Sequence, residues 1–587
     1  MKYLISFDTD IISSIHTSEW GVDAILTLDN EITADLSSLP YLKEPMVFFI
    51  PTVLNMNNSL AYDGVTLALR ILMSYIRNNR NDIDIVLMGN ETESGFLLHY
   101  DYPNILKIPG FYYTRFNKKL VSSFTLPKRD LIEIKEYKYF LDNLGLKMPS
   151  SLKSTHSLTN EWCLFKWNSF MGFQENTSAL TSHLYFDYLI TLQKINKVSN
   201  KNITEHLKVR IQNIPNSKIL LIDDKKGWHL FFKNLFVNNT NIEIRCIGKD
   251  FNKLEFPEIE KKILNEISEF NPHVIILDFR LMEDADSEII GDMKQISGYK
   301  VLSNVLKGSY KAPMNSFGRQ VIIFTATSRI ENILMLRDGY ADGFILKEKP
   351  EIYNGKEITI EVISKMINTL ITAIDRANVL ISLNEKLDQL VHLSTRANSF
   401  ISPELASAIQ SVSQTVRQLS QNNALDVDIL KLIYLNIFNI FEQIKQDINF
   451  VNYKNNFTLV VRGSKYLVIS GKSKCAMSSN SDDDWNYKPK FTPSSCHEKY
   501  CKDKSLNFAI CALILFRLGK NQVEDTDWND IRSIRNAIAH GDDVKLRSKG
   551  MSLNIETLTL FIPRMLDLII SLMDTDRINE VIPTLNN

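Results

Sequence analysis

Along the chain, short apolar runs alternate with stretches of helical spacing, and the alternation predicts layers of sheet and helix. Over residues 1–145 the runs KYLISF, MVFFIPT, IDIVLMGN and NILKIPGF bracket the helical pattern GVTLALRILMSYI, as a parallel α/β layer requires. Residues 146–215 are more polar and helical in spacing, with aromatic anchors at Trp162, Trp167, Tyr185 and Tyr188, and read as a connector. A second α/β pattern fills 216–350. There SKILLIDD, HVIILDF, QVIIFTAT and DGFILKEKP are each bounded by polar or turn residues, as strands buried on both faces should be. In the segment 351–424, apolar residues recur at Ile363, Ile367, Leu370, Ile374, Ala377 and Ile381, then shift to Leu383, Leu387 and Leu390. Such a seam predicts a long helix paired with another helix, from the same chain or from a second copy of it. Residues 425–587 predict helices at 425–449, 503–519, 526–540 and 553–575. A hairpin, FTLVVRGSKYLVIS, and a polar insertion separate the first two, which gives a helical bundle with one decorated loop.

Composition narrows the classes. A chain of 587 residues with 44% apolar content can form roughly three to five packed domains. Its 67 basic and 68 acidic residues leave a net charge of -1, so any contact with nucleic acid must be local, and no bulk attraction to an anionic membrane exists. The opening MKYLISFDTD places acids where a signal peptide needs an apolar core, and the apolar stretch Leu506–Phe516 is about half the length of a membrane span. A soluble, cytoplasmic protein without a membrane partner is the expectation. Six scattered cysteines form no disulfide framework and are expected to be reduced.

Candidate chemistry gathers at the predicted strand ends of the second α/β segment. In an open parallel sheet, ligands sit outside the carboxyl ends of the strands. Asp223 and Asp224 close ILLIDD and Asp278 closes VIILD, so three carboxylates can converge into an all-oxygen pocket suited to Mg²⁺. Thr325 ends VIIFT and Lys347 ends FILK. A hydroxyl and an ammonium beside a divalent ion and one protruding carboxylate suit transfer of a phosphoryl group to that carboxylate.

This ordered set resembles the receiver domain of two-component response regulators, over residues 216–350. The resemblance implies a flavodoxin-like fold in which Asp223, Asp224 and Asp278 bind Mg²⁺ and Asp278 is the phosphoacceptor. It also implies that Thr325 and Lys347 contact the phosphate, that Phe344 holds the aromatic switch position, and that a histidine kinase or another sensor protein acts upstream. Two departures stand out: Glu348 follows the Lys where the family usually has Pro, and the segment from Asp278 to Thr325 is longer than the family habit. A degenerate receiver used only for docking remains the alternative. The N-terminal segment echoes the plan, with Asp8 and Asp10 after the first run, Pro51 and Thr52 where an acceptor would stand, and Lys107 in ILKIP. Lacking a carboxylate at the acceptor point, it is expected to be a receiver-like binding domain without phosphotransfer.

The second constellation is DIRSIRNAIAHGDD, Asp530 to Asp543. Thr526 can cap this helix, Asp527 favours its positive end, Gly541 supplies a stop, and Ile531, Ile534 and Ile538 form the apolar stripe. Arg535 flanks the stripe, while Asn536 and His540 lie one turn apart on a more open face. A His at a helix C-terminus gains from the dipole when protonated and can move protons near neutral pH. The Arg offers a fork that matches phosphate.

Arg-x4-His, with Asn directly after the Arg on the third helix of a bundle, resembles the HEPN superfamily. Its ribonuclease members use such a motif, usually where two copies meet in a dimer. The resemblance implies an all-α HEPN bundle over 425–587 and cleavage through the RNA 2′-hydroxyl with no metal. Arg535 would stabilise the phosphate, His540 would carry protons, and Asn536 would orient its neighbours. Together the two resemblances imply a multidomain, homodimeric, signal-gated ribonuclease of bacterial stress or anti-phage defence, with RNA as substrate. The rival reading is a regulatory scaffold in which the receiver switches partners and the bundle only dimerises. CHEKYC groups Cys496, His497 and Cys501, with Cys475 upstream, and four such ligands could hold zinc. The Cys-x4-Cys spacing with an adjoining His strains tetrahedral geometry, so packed or exposed thiols are the plainer reading.

Overall fold

The computed structural model describes residues 1–6, 17–27, 45–54, 62–100, 102–148, 156–174, 178–196, 201–282, 286, 293–306, 318–325, 341–348, 355–395, 402–421, 426–446, 448–453, 456–461, 464–469, 477–479, 485–487, 506, 509–510, 513–514, 527–541 and 544–573. Its first sheet holds β1 (Lys2–Ser6), β2 (Ala24–Thr27), β3 (Met46–Pro51), β4 (Ile83–Gly89) and β5 (Phe111–Arg115), all parallel, in the order β2-β1-β3-β4-β5. Successive residues of β3 serve opposite faces. Phe48 and Ile50 join the core beneath helix α1 (Asp63–Arg77), while Val47 and Phe49 pack with Val22, Val86 and Val121 on the other side. Burial on both faces is why MVFFIP reads as one continuous apolar run. The run NILKIPGF divides differently from the expected strand: Ile105–Lys107 is a 3₁₀ turn with Lys107 exposed, and the strand begins at Phe111.

The expected connector is structured. Helix α2 (His156–Met171) sends Cys163, Leu164, Trp167 and Met171 into the core of the second sheet. Helix α3 (Leu184–Ile195) is tied instead to the first domain. Its fully buried Asp187 pairs with Arg77 and lies 3.9 Å from Arg70 Nε, and Arg77 also donates to Thr191 Oγ1 at 2.9 Å. The connector therefore bridges both α/β units.

The second sheet holds β6 (Ser217–Ile222), β7 (Ile242–Ile247), β8 (Val274–Asp278), β9 (Gln320–Thr325) and β10 (Gly343–Leu346), again all parallel. Its order, β10-β9-β8-β6-β7, repeats that of the first sheet and is the order of flavodoxin-like doubly wound sheets. Helices α4 (Lys226–Phe236) and α2 cover one face; α5 (Phe256–Phe270) and the 296–306 segment cover the other.

A 41-residue helix, α6 (Gly355–Thr395), connects this sheet to the C-terminal region. Ile363, Ile367, Leu370, Ile374 and Ala377 pack on Ile322, Phe324 and Ile345 of the sheet, and Leu380, Leu383, Leu387, Leu390 and Leu393 join the next core. The seam expected to meet another helix, or a second copy, is thus covered by this chain's own sheet over its first half. The reason is geometric: a helix laid on a sheet and a helix laid on a helix both need an apolar stripe, and spacing alone does not say which partner it meets.

The C-terminal core is helical, formed by α7 (Pro403–Gln421), α8 (Val427–Gln446), α9 (Trp528–His540) and α10 (Ile555–Met573) around the end of α6. Ser402 caps α7 by accepting from Leu405 N at 3.0 Å, with Pro403 at the first helical position, where its missing N–H costs nothing. The region is not purely helical. Beyond α8, β11 (Ile448–Tyr453), β12 (Asn456–Val461) and β13 (Ser464–Ile469) form an antiparallel sheet, and Met477–Ser479 pairs with Trp485–Tyr487. The hairpin was legible, but Ile448 and Asn449, expected in the helix, are strand. Among the described residues one helix, Ile358–Thr395, is long and apolar enough to cross a membrane; its buried apolar positions are those that join the two cores just described.

Candidate functional site

The second sheet brings Asp223, Asp224, Asp278, Thr325 and Lys347 to one edge because each stands at or just past the carboxyl end of a parallel strand. Lys347 N donates to the Thr325 carbonyl at 2.7 Å, which continues the strand pairing and aims the Lys side chain inward. Its Nζ lies 3.0 Å from Asp278 Oδ1 and 3.6 Å from Asp223 Oδ2. The three carboxylates each offer an oxygen, all within 4.8 Å of one another. Asp278 Oδ1 also accepts from Phe279 N at 2.9 Å, and Asp223 Oδ1 from Lys225 N at 2.8 Å.

Burial governs the electrostatics here. Asp278 is only 4% exposed and Asp223 not at all. Desolvation pushes the Asp223 carboxyl well above the usual range, opposed by Lys347 and reinforced by the charges of Asp278 and Asp224. Desolvation likewise raises Asp278 against the pull of Lys347. Burial would lower the Lys347 ammonium, but Asp278 and Asp223 outweigh it and raise it. Three carboxylates face the Lys347 ammonium, and Lys225 Nζ adds a second positive group 3.9 Å from Asp224 Oδ2, so the carboxylates still outnumber the ammonium groups. Asp223 Oδ2 meets no hydrogen-bond donor among the described residues, and a hard cation would satisfy it. The donor set is all oxygen and fits Mg²⁺.

Aromatic rings that nothing in the sequence ties to the acid cluster complete the pocket. Lys347 Nζ lies 4.2 Å from the Phe324 ring centroid and 5.3 Å from that of Trp228, and Trp167 packs on both rings. Each looks like ordinary core in the one-dimensional pattern. Phe344, the expected switch residue, is half-buried on β10 and packs against the core on the opposite face of the sheet.

Helix α9 carries the second constellation. It ends at His540, and Gly541 takes a φ of +67° while donating to the Ala537 carbonyl at 3.0 Å, a left-handed stop that suits Gly. The buried stripe is Trp528, Ile531, Ile534 and Ala537, with Ile538 only partly buried, so the stripe follows the 3-3 row and not the expected Ile538. Trp528 stacks on Phe438 of α8, and Tyr434 donates to the Ile531 carbonyl at 2.8 Å, fixing the helix to its neighbour. Arg535 is half-buried, its guanidinium 5.5 Å from the Phe438 ring centroid and its Nη1 donating to Asn536 Oδ1 at 3.2 Å. His540 is exposed. Lys549, a basic residue after the motif, donates to Asp530 at 2.7 Å and so folds back onto α9.

The acid pocket and α9 belong to different cores. Thr526, Asp8, Asp10 and the set Cys475, Cys496, His497 and Cys501 lie outside the described residues. Thr52 is buried just past β3, as an acceptor-point residue without a carboxylate. No family model matches the chain, and no curated protein matches it.

Proposed function

We propose that this chain is a signal-gated RNA-cleaving effector, with the acid pocket as the input and α9 as the output. The observation that carries the reading is that one unbroken helix, α6, is built into both cores, so a change at the pocket has a covalent, packed route to the helix of Arg535 and His540. At the input, Asp223, Asp224 and Asp278 would hold Mg²⁺, which when bound neutralises phosphoryl oxygens. The Asp278 carboxylate attacks the phosphorus of a phosphoryl donor, the donor's leaving group departs, and Lys347 pairs with the new charge while Thr325 stands beside it.

At the output, His540 takes the proton of the RNA 2′-hydroxyl as that oxygen attacks phosphorus, and a proton is returned to the departing 5′-oxygen. Arg535 stabilises the phosphate oxygens. Products end in a 2′,3′-cyclic phosphate and a 5′-hydroxyl, and cleavage continues in EDTA because proton transfer and the guanidinium do the work. A homodimer would bring two such helix ends together, and a histidine kinase or other sensor would load Asp278.

The burial of Asp278 favours a second reading, in which the pocket is a docking fold and the bundle only dimerises. One experiment separates them: total RNA is incubated with the wild type, His540→Ala and Asp278→Asn, with and without acetyl phosphate and Mg²⁺. Cleavage lost in His540→Ala, and stimulated by the donor only when Asp278 is present, supports the effector. A wild type inert toward RNA under both conditions supports the scaffold.

A further inference from the structure

Glu348 stands where the resembled family usually has Pro, and the structure gives this departure a place. It follows Lys347 directly, yet the two side chains serve different neighbours. Lys347 reaches the acid pocket, whereas the buried Glu348 carboxylate meets Thr359 of α6 and Lys166 of α2. The Thr359 hydroxyl lies 3.0 Å from both Glu348 oxygens, Lys166 Nζ lies 3.6 Å away, and Glu348 N donates to Cys163 Sγ at 3.1 Å. All four groups are buried. Two consecutive residues thus hold the pocket on one side and, on the other, the start of α6 and the middle of α2.

We propose that Glu348 is a joint that passes the charge state of the acid pocket to the C-terminal bundle through Thr359 and α6. This rests on the reading of the pocket as a site that takes a cation and an anionic phosphoryl group. When a cation occupies the carboxylates, they no longer hold Lys347, and a new anion on Asp278 draws its ammonium to a different position. The Lys347 side chain is buried against the Phe324 and Trp228 rings, which leave its stem little room to change rotamer, so a shift of its ammonium is passed to its backbone and with it to Glu348. A buried carboxylate cannot drift into solvent when displaced, since leaving the Thr359 hydroxyl and the Lys166 ammonium would strand a charge. Its partners must follow it, and one of them, Thr359, stands near the start of α6.

The helix carries the displacement far. From Thr359 to Leu387 it spans roughly 40 Å at 1.5 Å per residue. Its last turns are fixed in the bundle by Leu383, Leu387 and Leu390 and by ion pairs of Lys386 with Asp567 and of Asp388 with Arg417. Helix α10, which carries Asp567, belongs with α9 to the same core. Coupling needs an element whose position both sites bias, and α6, packed in both cores, is the element that would serve.

Hydrogen exchange on the full chain, followed by peptide mass with and without Mg²⁺ and beryllofluoride as a phosphoryl mimic, reads both ends at once. Peptides covering 217–228 and 274–281 report loading of the pocket; those covering 380–393 and 528–541 report the bundle. In the wild type, loading is expected to slow exchange at the pocket and to change bundle rates by at least about fivefold. Thr359→Val, nearly isosteric and outside the pocket, should load as the wild type does and lose most of the bundle response. Thr359→Ser, which keeps the hydroxyl, should restore it, and Glu348→Gln serves as the second variant if Thr359→Val does not fold. A full bundle response in a folded Thr359→Val overturns the joint, as does a wild type whose pocket loads while its bundle stays unchanged. A wild-type pocket that does not load overturns the reading of the pocket as well, and the two failures are told apart by the pocket peptides.

Discussion

Asn536 and Arg535 are neighbours in sequence and in space, but the residue that sets the Arg535 fork is Phe438, on another helix. With a ring against it, the guanidinium is restricted in orientation, and on the proposed reading its fork would meet phosphate. Replacing it by Lys keeps the charge and loses both the stacking and the fork. RNA cleavage by Arg535→Lys is therefore expected to fall nearly as far as in His540→Ala, for which a loss of at least about 10²-fold is the scale of a missing general acid–base. Initial-rate measurements on a defined RNA check both. Glu348 offers a pH test at the same scale. Burial raises its carboxyl above the ordinary 4.5, against the pull of Lys166 and the Thr359 hydroxyl. A raised carboxyl binds its proton more tightly in the folded state, so its unfavourable share is present above the folded pKa and is relieved as pH falls towards 4.5. Chemical denaturation of the wild type should show this relief on acidification from neutral pH, and Glu348→Gln should show a smaller slope over the same window.

Among elements, the central strands of both sheets could be read directly because burial on two faces makes them continuous apolar runs. Besides the displaced β5, two edge strands escaped. In β7, IEIRCI, alternate residues are exposed, and β2 is only four residues long, so neither yields an uninterrupted run. The acid pocket was legible for a related reason: each of its chemical residues sits at or beside a strand end, and strand ends are marked by a change from apolar to polar. Its aromatic lining was not, because Trp228 and Phe324 lie within apolar patterns that any core would show. The long helix was legible as a helix but not in its partner. Ile367 and Ile374 pack on the second sheet, so an Asp at either position buries a charge inside this chain. Ile374→Asp is expected to lower the midpoint of thermal unfolding by several degrees while leaving the oligomeric mass of the remaining folded protein unchanged, as scanning calorimetry and light scattering would show.

For the whole molecule, two α/β units with the same strand order precede a helical region, and the connector helices distribute themselves between the units. Association of two copies, if it composes the RNA site, must use the bundle, since the first half of the α6 seam is already occupied. Light scattering at micromolar concentration should then give the mass of a dimer for the wild type, unaltered by Thr359→Val. A monomer that still cuts RNA would place the whole site in one chain.

One helix in two cores also makes rotational phase a property of the protein. The stripe at Ile363–Ala377 and the stripe at Leu383–Leu393 face their partners at a fixed angular offset, so α6 acts as a keyed shaft. One residue inserted between Ile381 and Leu383 turns the bundle by about 100° relative to the sheet, whereas seven leave a mismatch of about 20° with a longer span. Signal-dependent cleavage is expected to be abolished by the single insertion and substantially kept by the heptad. A tether that merely kept the two cores near each other would tolerate both alike.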